Sequence, residues 1–242
     1  MKSCLVIILL LTSIGVVNGQ TNNFDHSLFD KLLKENVDDN GLVNYEEFID
    51  NKSFDEYITG LQNAEIDNFS GREKLAFLIN AYNALVIKNV LNHWPIKSPM
   101  DVEGFFDKKI FNLAGESVTL NQIEYDYVFN IDPVFCHFGL VCAGMSCPKL
   151  LQKAYNGEDI YEQLESNTRL FLNDQSKNRL DKESNTLHLS EIFRWFEDVF
   201  SKKYGSEKEA AAEFMNDADS NYISENKITI KFIKYDWKLN KQ

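Results

Sequence analysis

The sequence predicts an α+β fold: a single domain with several helices around a small, mostly antiparallel sheet. Three observations predict it. Helix-period apolar stripes interleave irregularly with short β-prone runs. No Pro/Ser/Gly-rich linker and no internal repeat divides the chain. Its 242 residues, 44% of them hydrophobic, are enough for one proper core.

The elements follow in chain order. Lys2 precedes an apolar run from Leu5 to Val17, the layout of a secretory signal peptide with cleavage near Gly19–Gln20. That run is shorter than the roughly 17 to 25 residues a spanning helix needs. Residues 1–19 are therefore expected to be a signal peptide and 20–242 the mature domain, secreted or periplasmic, with no stable membrane anchor. Cys4 precedes the apolar run, which is not where a lipoprotein cysteine stands. Residues 27–35 place Leu28, Phe29, Leu32 and Leu33 on one helical face, and Asp39-Asn40-Gly41 turn the chain. Ser70 with Glu73 reads as a capping box opening a helix over about 71–92, which Pro95 ends. Lys109–Leu113 and Ser117–Leu120 flank Gly115 as a hairpin. Thr119 and Gln122 cap a helix over 120–129. Val134–Ala143, apolar and β-prone between Pro133 and Gly144, reads as a strand. A helical stretch after Pro148 runs through Leu164, Leu170 and Phe171. Arg179–Asp181 and Thr186–Leu189 flank a turn, Phe193–Phe200 is an aromatic helix, and Ser206 with Glu209 opens another. Lys227–Leu239 alternates as a closing strand.

Charge and cysteine count exclude several classes. The chain has 25 basic and 37 acidic groups, a formal net charge of −12. Losing Lys2 with the signal peptide would make this 24 − 37 = −13. With no cluster of Lys or Arg, nucleic acid is not an expected partner, since phosphate binding is driven by those residues. The mature chain keeps Cys136, Cys142 and Cys147, which cannot all pair within one molecule. Export makes a Cys142–Cys147 bridge possible, while free thiols remain the alternative.

Five constellations could carry chemistry. On the helix 71–92, apolar nearly all round and so expected to be buried, Asn80 and Asn83 lie one turn apart. They either bond a neighbouring backbone or line a pocket. In the segment 132–150, Cys147 follows a Gly-Met-Ser loop and precedes Pro148, a first-helical-position residue. A thiol there has its thiolate favoured. On a straight strand His137 lies opposite Cys136 and Cys142, and too far from Cys147 to bond it at ~3.3 Å per residue. The two meet only if Gly144–Met145 folds the loop back. Glu124 lies within the apolar stripe Leu120, Ile123, Tyr127 and Val128, so it is paired or has a raised pKa. Asn36, Asp38, Asn40, Gly41, Asn44 and Glu47 match the spacing of a calcium loop, against a plain glycine turn. The Asn at the first position, the lack of a second loop and the short preceding helix weaken the calcium reading, and no metal is assigned. Asp236, between Tyr235 and Trp237, could orient a histidine or hold the chain end. His26, His93 and His188 read as structural or solvated.

Taken in order, six blocks resemble one family: FDHSLFDKLLKENVDDNGLVNY at 24–45, FLINAYNAL at 77–85, LNQIE at 120–124, HFGLVCAGMSCPKL at 137–150, LSEIFRWFEDVF at 189–200 and YDWKLN at 235–240. The chain resembles the DUF547 family, an uncharacterised domain of exported bacterial proteins and of plant and animal multidomain proteins. The resemblance carries no reaction, and leaves open a relationship to papain-like and transglutaminase-like cysteine enzymes. It maps family positions onto Asn80, Asn83, Glu124, His137, Cys142, Cys147 and Asp236. The sequence departs where the family often has His, with Tyr125, and it has no Arg in 125–132. Two readings follow. One is a binding module whose polar pocket, with Asn80, Asn83 and Asp236, takes a small-molecule or peptide ligand. The other is a hydrolase or acyl-transferase with Cys147 as nucleophile, His137 as base, Glu124 or Asp236 orienting it and Asn80 serving an oxyanion. No cofactor is indicated.

Overall fold

The computed structural model describes residues 23–242, so the signal-peptide expectation and Cys4 lie outside the described residues. Helix α1 (Ser27–Asn36) buries Phe29, Leu32 and Leu33, the face its spacing predicts. It packs on α2 (Lys52–Gln62), with the Phe29 and Tyr57 rings stacked at 4.8 Å. At the centre runs α3 (Gly71–Asn92), opened by Ser70 Oγ accepting the Glu73 N–H at 3.2 Å. Its residues are apolar on every side because every side is packed. By length and composition it could cross a membrane, but here it is buried inside the protein.

Strands β1 (Phe111–Leu113) and β2 (Glu116–Val118) form the expected hairpin. Helix α4, residues 120–131, begins with a full capping box between Thr119 and Gln122. It is α-helical at Leu120–Gln122 and Phe129–Ile131 but wound as a π-helix over Ile123–Val128. The five-residue spacing of buried Ile123 and Val128 matches that wider turn.

The expected strand 134–143 is not formed. Asp132 Oδ1 accepts the Val134 and Phe135 N–H groups at 2.9 and 2.7 Å, and this side-chain turn leads into the short helix α5 (Cys136–Gly139). Beyond it Asn83 takes the place of a strand neighbour, donating to the Gly139 carbonyl at 3.0 Å and accepting the Val141 N–H at 2.9 Å. A short apolar run does not distinguish buried helix from strand by periodicity, and here a local carboxylate decides.

After Pro148 the chain is irregular up to α6 (Ile160–Leu172), a later start than the sequence suggests. β3 (Arg179–Asp181) and β4 (Thr186–Ser190) pair antiparallel. The aromatic helix splits at Phe196 into α7 (Glu191–Trp195) and α8 (Glu197–Tyr204). Then come α9 (Glu207–Phe214), α10 (Asp217–Glu225) and β5 (Thr229–Ile233). β5 pairs in parallel with β4, Thr186 facing Thr229 and Ser190 facing Ile233. Two of the three strand pairings are antiparallel, and the α+β class stands.

The C-terminal segment laces distant parts together. Its Asn240 carbonyl accepts the Val43 N–H, its Asn240 N–H reaches the Ala143 carbonyl, and its Leu239 N–H reaches the Lys97 carbonyl. Tyr45 adds a 2.6 Å hydrogen bond to Asn240 Oδ1. This lacing brings the last residues against the 140–148 loop, where the site lies.

Candidate functional site

Separate parts of the chain close around one cavity of about 310 Å³. The π-helical turn of α4 presents Glu124 and Tyr125, and α3 presents Tyr82. Helix α5 supplies His137, and the loop after it supplies Cys142 and Cys147. The α7–α8 junction supplies Trp195 and Phe196, and the C-terminal segment Tyr235 and Trp237. Splitting the aromatic helix at Phe196 lets that ring stack on His137 with centroids 3.7 Å apart. Trp195, Tyr235 and Trp237 form a contiguous aromatic wall, with centroid distances from 4.6 to 6.1 Å.

The polar groups in this cavity are perturbed mainly by burial. Desolvation raises the Glu124 carboxyl to about 7, against a weaker hydrogen bond from Tyr82 Oη at 3.4 Å that favours the ionised form. Desolvation lowers His137 to about 3, outweighing a backbone hydrogen bond at Pro133. At neutral pH His137 is an uncharged ring, 5% exposed, and its Nε2 finds no partner among the described residues. The Tyr82 and Tyr235 hydroxyls are pushed up by burial first and by Glu124 second. Tyr125 rises to about 12 for the same reasons.

Cys142 and Cys147 are joined by a disulfide. The Cys147 N–H on the Gly144 carbonyl closes a tight turn over 144–147. His137 and Cys147 line the same cavity, although the short helix α5 replaces the strand alternation expected there. In this oxidation state, however, Cys147 is no nucleophile, which corrects the expected thiolate role. Its Sγ accepts the Cys142 N–H and the Tyr235 Oη–H, each at 3.1 Å. Cys136 is a buried free thiol whose pKa is raised by burial.

Three expected binding residues do other work. Asn80 donates to the Tyr155 carbonyl at 2.8 Å and accepts the Tyr155 N–H at 2.9 Å. Asn83 braces Gly139 and Val141 in the same two-handed way. Both amides are spent on backbone, because a buried helix beside irregular chain must satisfy that chain's polar groups. Neither lines the cavity. Asp236 is exposed and accepts the Lys238 N–H at 3.0 Å, closing a local turn, so it orients no histidine. Its neighbours Tyr235 and Trp237 face the cavity instead. These two, with Tyr82, Trp195 and Phe196, are the functional candidates that the reading from sequence missed. A signal was available in polar-tipped aromatics flanking the one polar position chosen.

The calcium-like spacing at 36–47 is a structural turn. Asp38 Oδ1 accepts the Asn40 and Leu42 N–H groups at 2.9 and 2.8 Å, and Asn36 Nδ2 donates to Leu32. Gly41 has φ +78°, and an added Cβ would stand 2.9 Å from the Leu150 nitrogen. The glycine serves that close approach. Among the described residues no group of three His, Cys, Asp or Glu side chains is placed to hold a metal.

A larger groove of about 1150 Å³ lies on the other side of Cys147–Pro148. Several of its charged groups are already engaged: Arg169 pairs with Glu165 at 2.9 Å, and Lys177 pairs with Asp174 at 3.6 Å and donates to the Cys147 carbonyl at 2.7 Å. The smaller cavity, with perturbed and unpartnered groups, is the better candidate. In comparison with known families, the model described as "Protein of unknown function, DUF547" matches residues 66–172. That span holds α3, α4, α5 and the disulfide loop, but not the aromatic wall. No curated protein and no solved structure matches the chain.

Proposed function

We propose the function from the cavity, since residues 66–172 match the DUF547 model, whose description assigns no reaction: an exported small-molecule-binding module. The observation that carries the reading is the His137 Nε2 atom, buried and without a protein partner among the described residues, in a cavity lining that also holds a Glu124 carboxyl with a raised pKa. An unmade hydrogen bond at a buried acceptor costs about 1–3 kcal/mol, and a ligand donor would recover it. A cavity near 310 Å³ suits a small organic molecule held mainly by aromatic faces.

Export is part of the proposal. The apolar N-terminus supports it, and so does a Cys142–Cys147 disulfide, a bond that persists in oxidising compartments. The test of binding is a thermal-shift screen of small polar and aromatic compounds on the wild-type chain and His137→Phe. Hits that disappear in the variant, at matched folded content, support the reading. A screen with no hit at millimolar compound would sink it.

One observation favours a second reading, a cysteine-dependent hydrolase or acyl-transferase active after reduction. Two donors, the Cys142 N–H and Tyr235 Oη–H, already converge on Cys147 Sγ, and a neutral His137 lines the same cavity. With the disulfide reduced by an external thiol, Cys147 Sγ would bond the acyl carbon of an ester or amide as the carbon's bond to its alcohol or amine breaks, and the thiol's proton would pass by way of His137 to that leaving group. Rapid, stoichiometric labelling of reduced Cys147 by iodoacetamide at pH 6 is the expected result. Labelling no faster than a free thiol rules the reading out.

A further inference from the structure

We propose that the cavity selects an organic cation, an alkyl- or quaternary ammonium group; this rests on the small-molecule reading above and names its ligand class. Three properties of the walls point there. The first is aromatic surface: Trp195, 45% exposed, joins Tyr235 and Trp237 in one wall, and Tyr82 is part of the same lining. A cation over such faces is attracted by the ring quadrupoles, most strongly by tryptophan and when water is excluded.

The second is charge. Among the described residues Glu124 is the one carboxylic acid lining the cavity, and no Lys or Arg lines it with Glu124. Its hydrogen-bond partner among the described residues is the neutral Tyr82 hydroxyl at 3.4 Å. A carboxylate desolvated without a counter-ion is costly, and a bound cation is the partner that would relieve it. The third is His137 Nε2, a buried lone pair without a partner among the described residues, which can accept an N–H or O–H carried by the ligand. An anionic ligand fails on the second property, and a purely apolar one leaves the second and third unmet.

Binding a cation favours ionised Glu124, so the complex forms with release of a proton. Affinity therefore rises about tenfold per pH unit below about 7 and levels off above it.

The test uses choline as probe against 3,3-dimethylbutan-1-ol, its neutral isostere, followed by tryptophan fluorescence and calorimetry on the oxidised chain. Expected are saturable choline binding at least tenfold tighter than that of the isostere, and a tenfold loss in Glu124→Gln. Trp195→Ala, at an exposed position where folding is safe, should lose at least fivefold. Cosedimentation with phosphatidylcholine vesicles, competed by free choline, would assign the cation to a lipid headgroup; choline binding without it assigns a free solute. Equal or tighter binding of the neutral isostere overturns the cation inference and leaves the small-molecule reading standing. Binding of neither probe overturns the inference, and the compound screen then decides the broader reading by itself.

Discussion

The Tyr235 hydroxyl donates to Cys147 Sγ at 3.1 Å and lies 3.2 Å from Cys142 Sγ, so one phenol touches both halves of the disulfide. The same contact ties the C-terminal segment to the 140–148 loop within the cavity lining. In the reduced chain a donor of this kind favours the thiolate over the thiol. Tyr235→Phe should therefore raise the pKa of the reduced Cys147 thiol. Iodoacetamide rates across pH, read by mass at Cys147, check this. An unchanged rate profile would mean that Tyr235 only packs against the sulfur.

Removing the disulfide changes stability by a calculable amount. It closes a loop of sequence separation 5, and on the chain-entropy account a loop this short is worth about 2 kcal/mol. The double variant Cys142→Ala, Cys147→Ala should lower the urea unfolding free energy by about that much while the chain still folds. Because both residues line the cavity, the variant should also weaken whatever ligand the screen identifies. A loss well above 4 kcal/mol would show that the sulfurs also pack the core.

Glu124 and the buried histidines give opposite pH dependences. Between about 4.5 and about 7 the folded chain keeps the Glu124 proton that the unfolded chain has lost. Folding is then favoured by protonation, so this contribution is full below about 4.5 and is lost as pH rises toward 7. It amounts to at most about 3 kcal/mol, less for solvent at the cavity mouth. His137, lowered to about 3, and His26, lowered to about 4, stay neutral when folded. Their contribution is complete above about 6.5 and is lost as pH falls through that range. The gap by which Glu124→Gln exceeds wild type in stability should widen steadily from about pH 4.5 to about 7, because glutamine stays neutral while the buried carboxyl ionises. A gap that stays constant would mean the carboxyl titrates normally.

Elements with strong local signals were legible from sequence, and the site was legible in part. The caps at Ser70 and Thr119, the α1 face and the hairpin all depend on neighbours within a few residues. Glu124, His137 and Cys147 do come to one cavity, from three different elements. The split at Phe196 and the turn at Asp132 were not legible, since each depends on packing or on one carboxylate in an apolar run. Nor could the number of polar groups reveal their partners. Asn80 and Asn83 look like pocket residues in a sequence and are backbone braces in the fold, because irregular chain at 139–155 lies against α3.

Asn83 shows most clearly the difference between bracing and binding. It is 3% exposed, and its amide satisfies the Gly139 carbonyl and the Val141 N–H together. Asn83→Ala leaves two buried backbone groups unpaired, each at about 1–3 kcal/mol. The expected loss is about 2–5 kcal/mol in urea unfolding, a large share of an ordinary domain's stability. Asn83→Asp keeps the acceptor for Val141 but sets a carboxylate against the Gly139 carbonyl, so it should be at least as damaging. Affinity for a cavity ligand, measured on the fraction that remains folded, should change less than twofold. A variant with wild-type stability and lost binding would return Asn83 to the site and remove its bracing role.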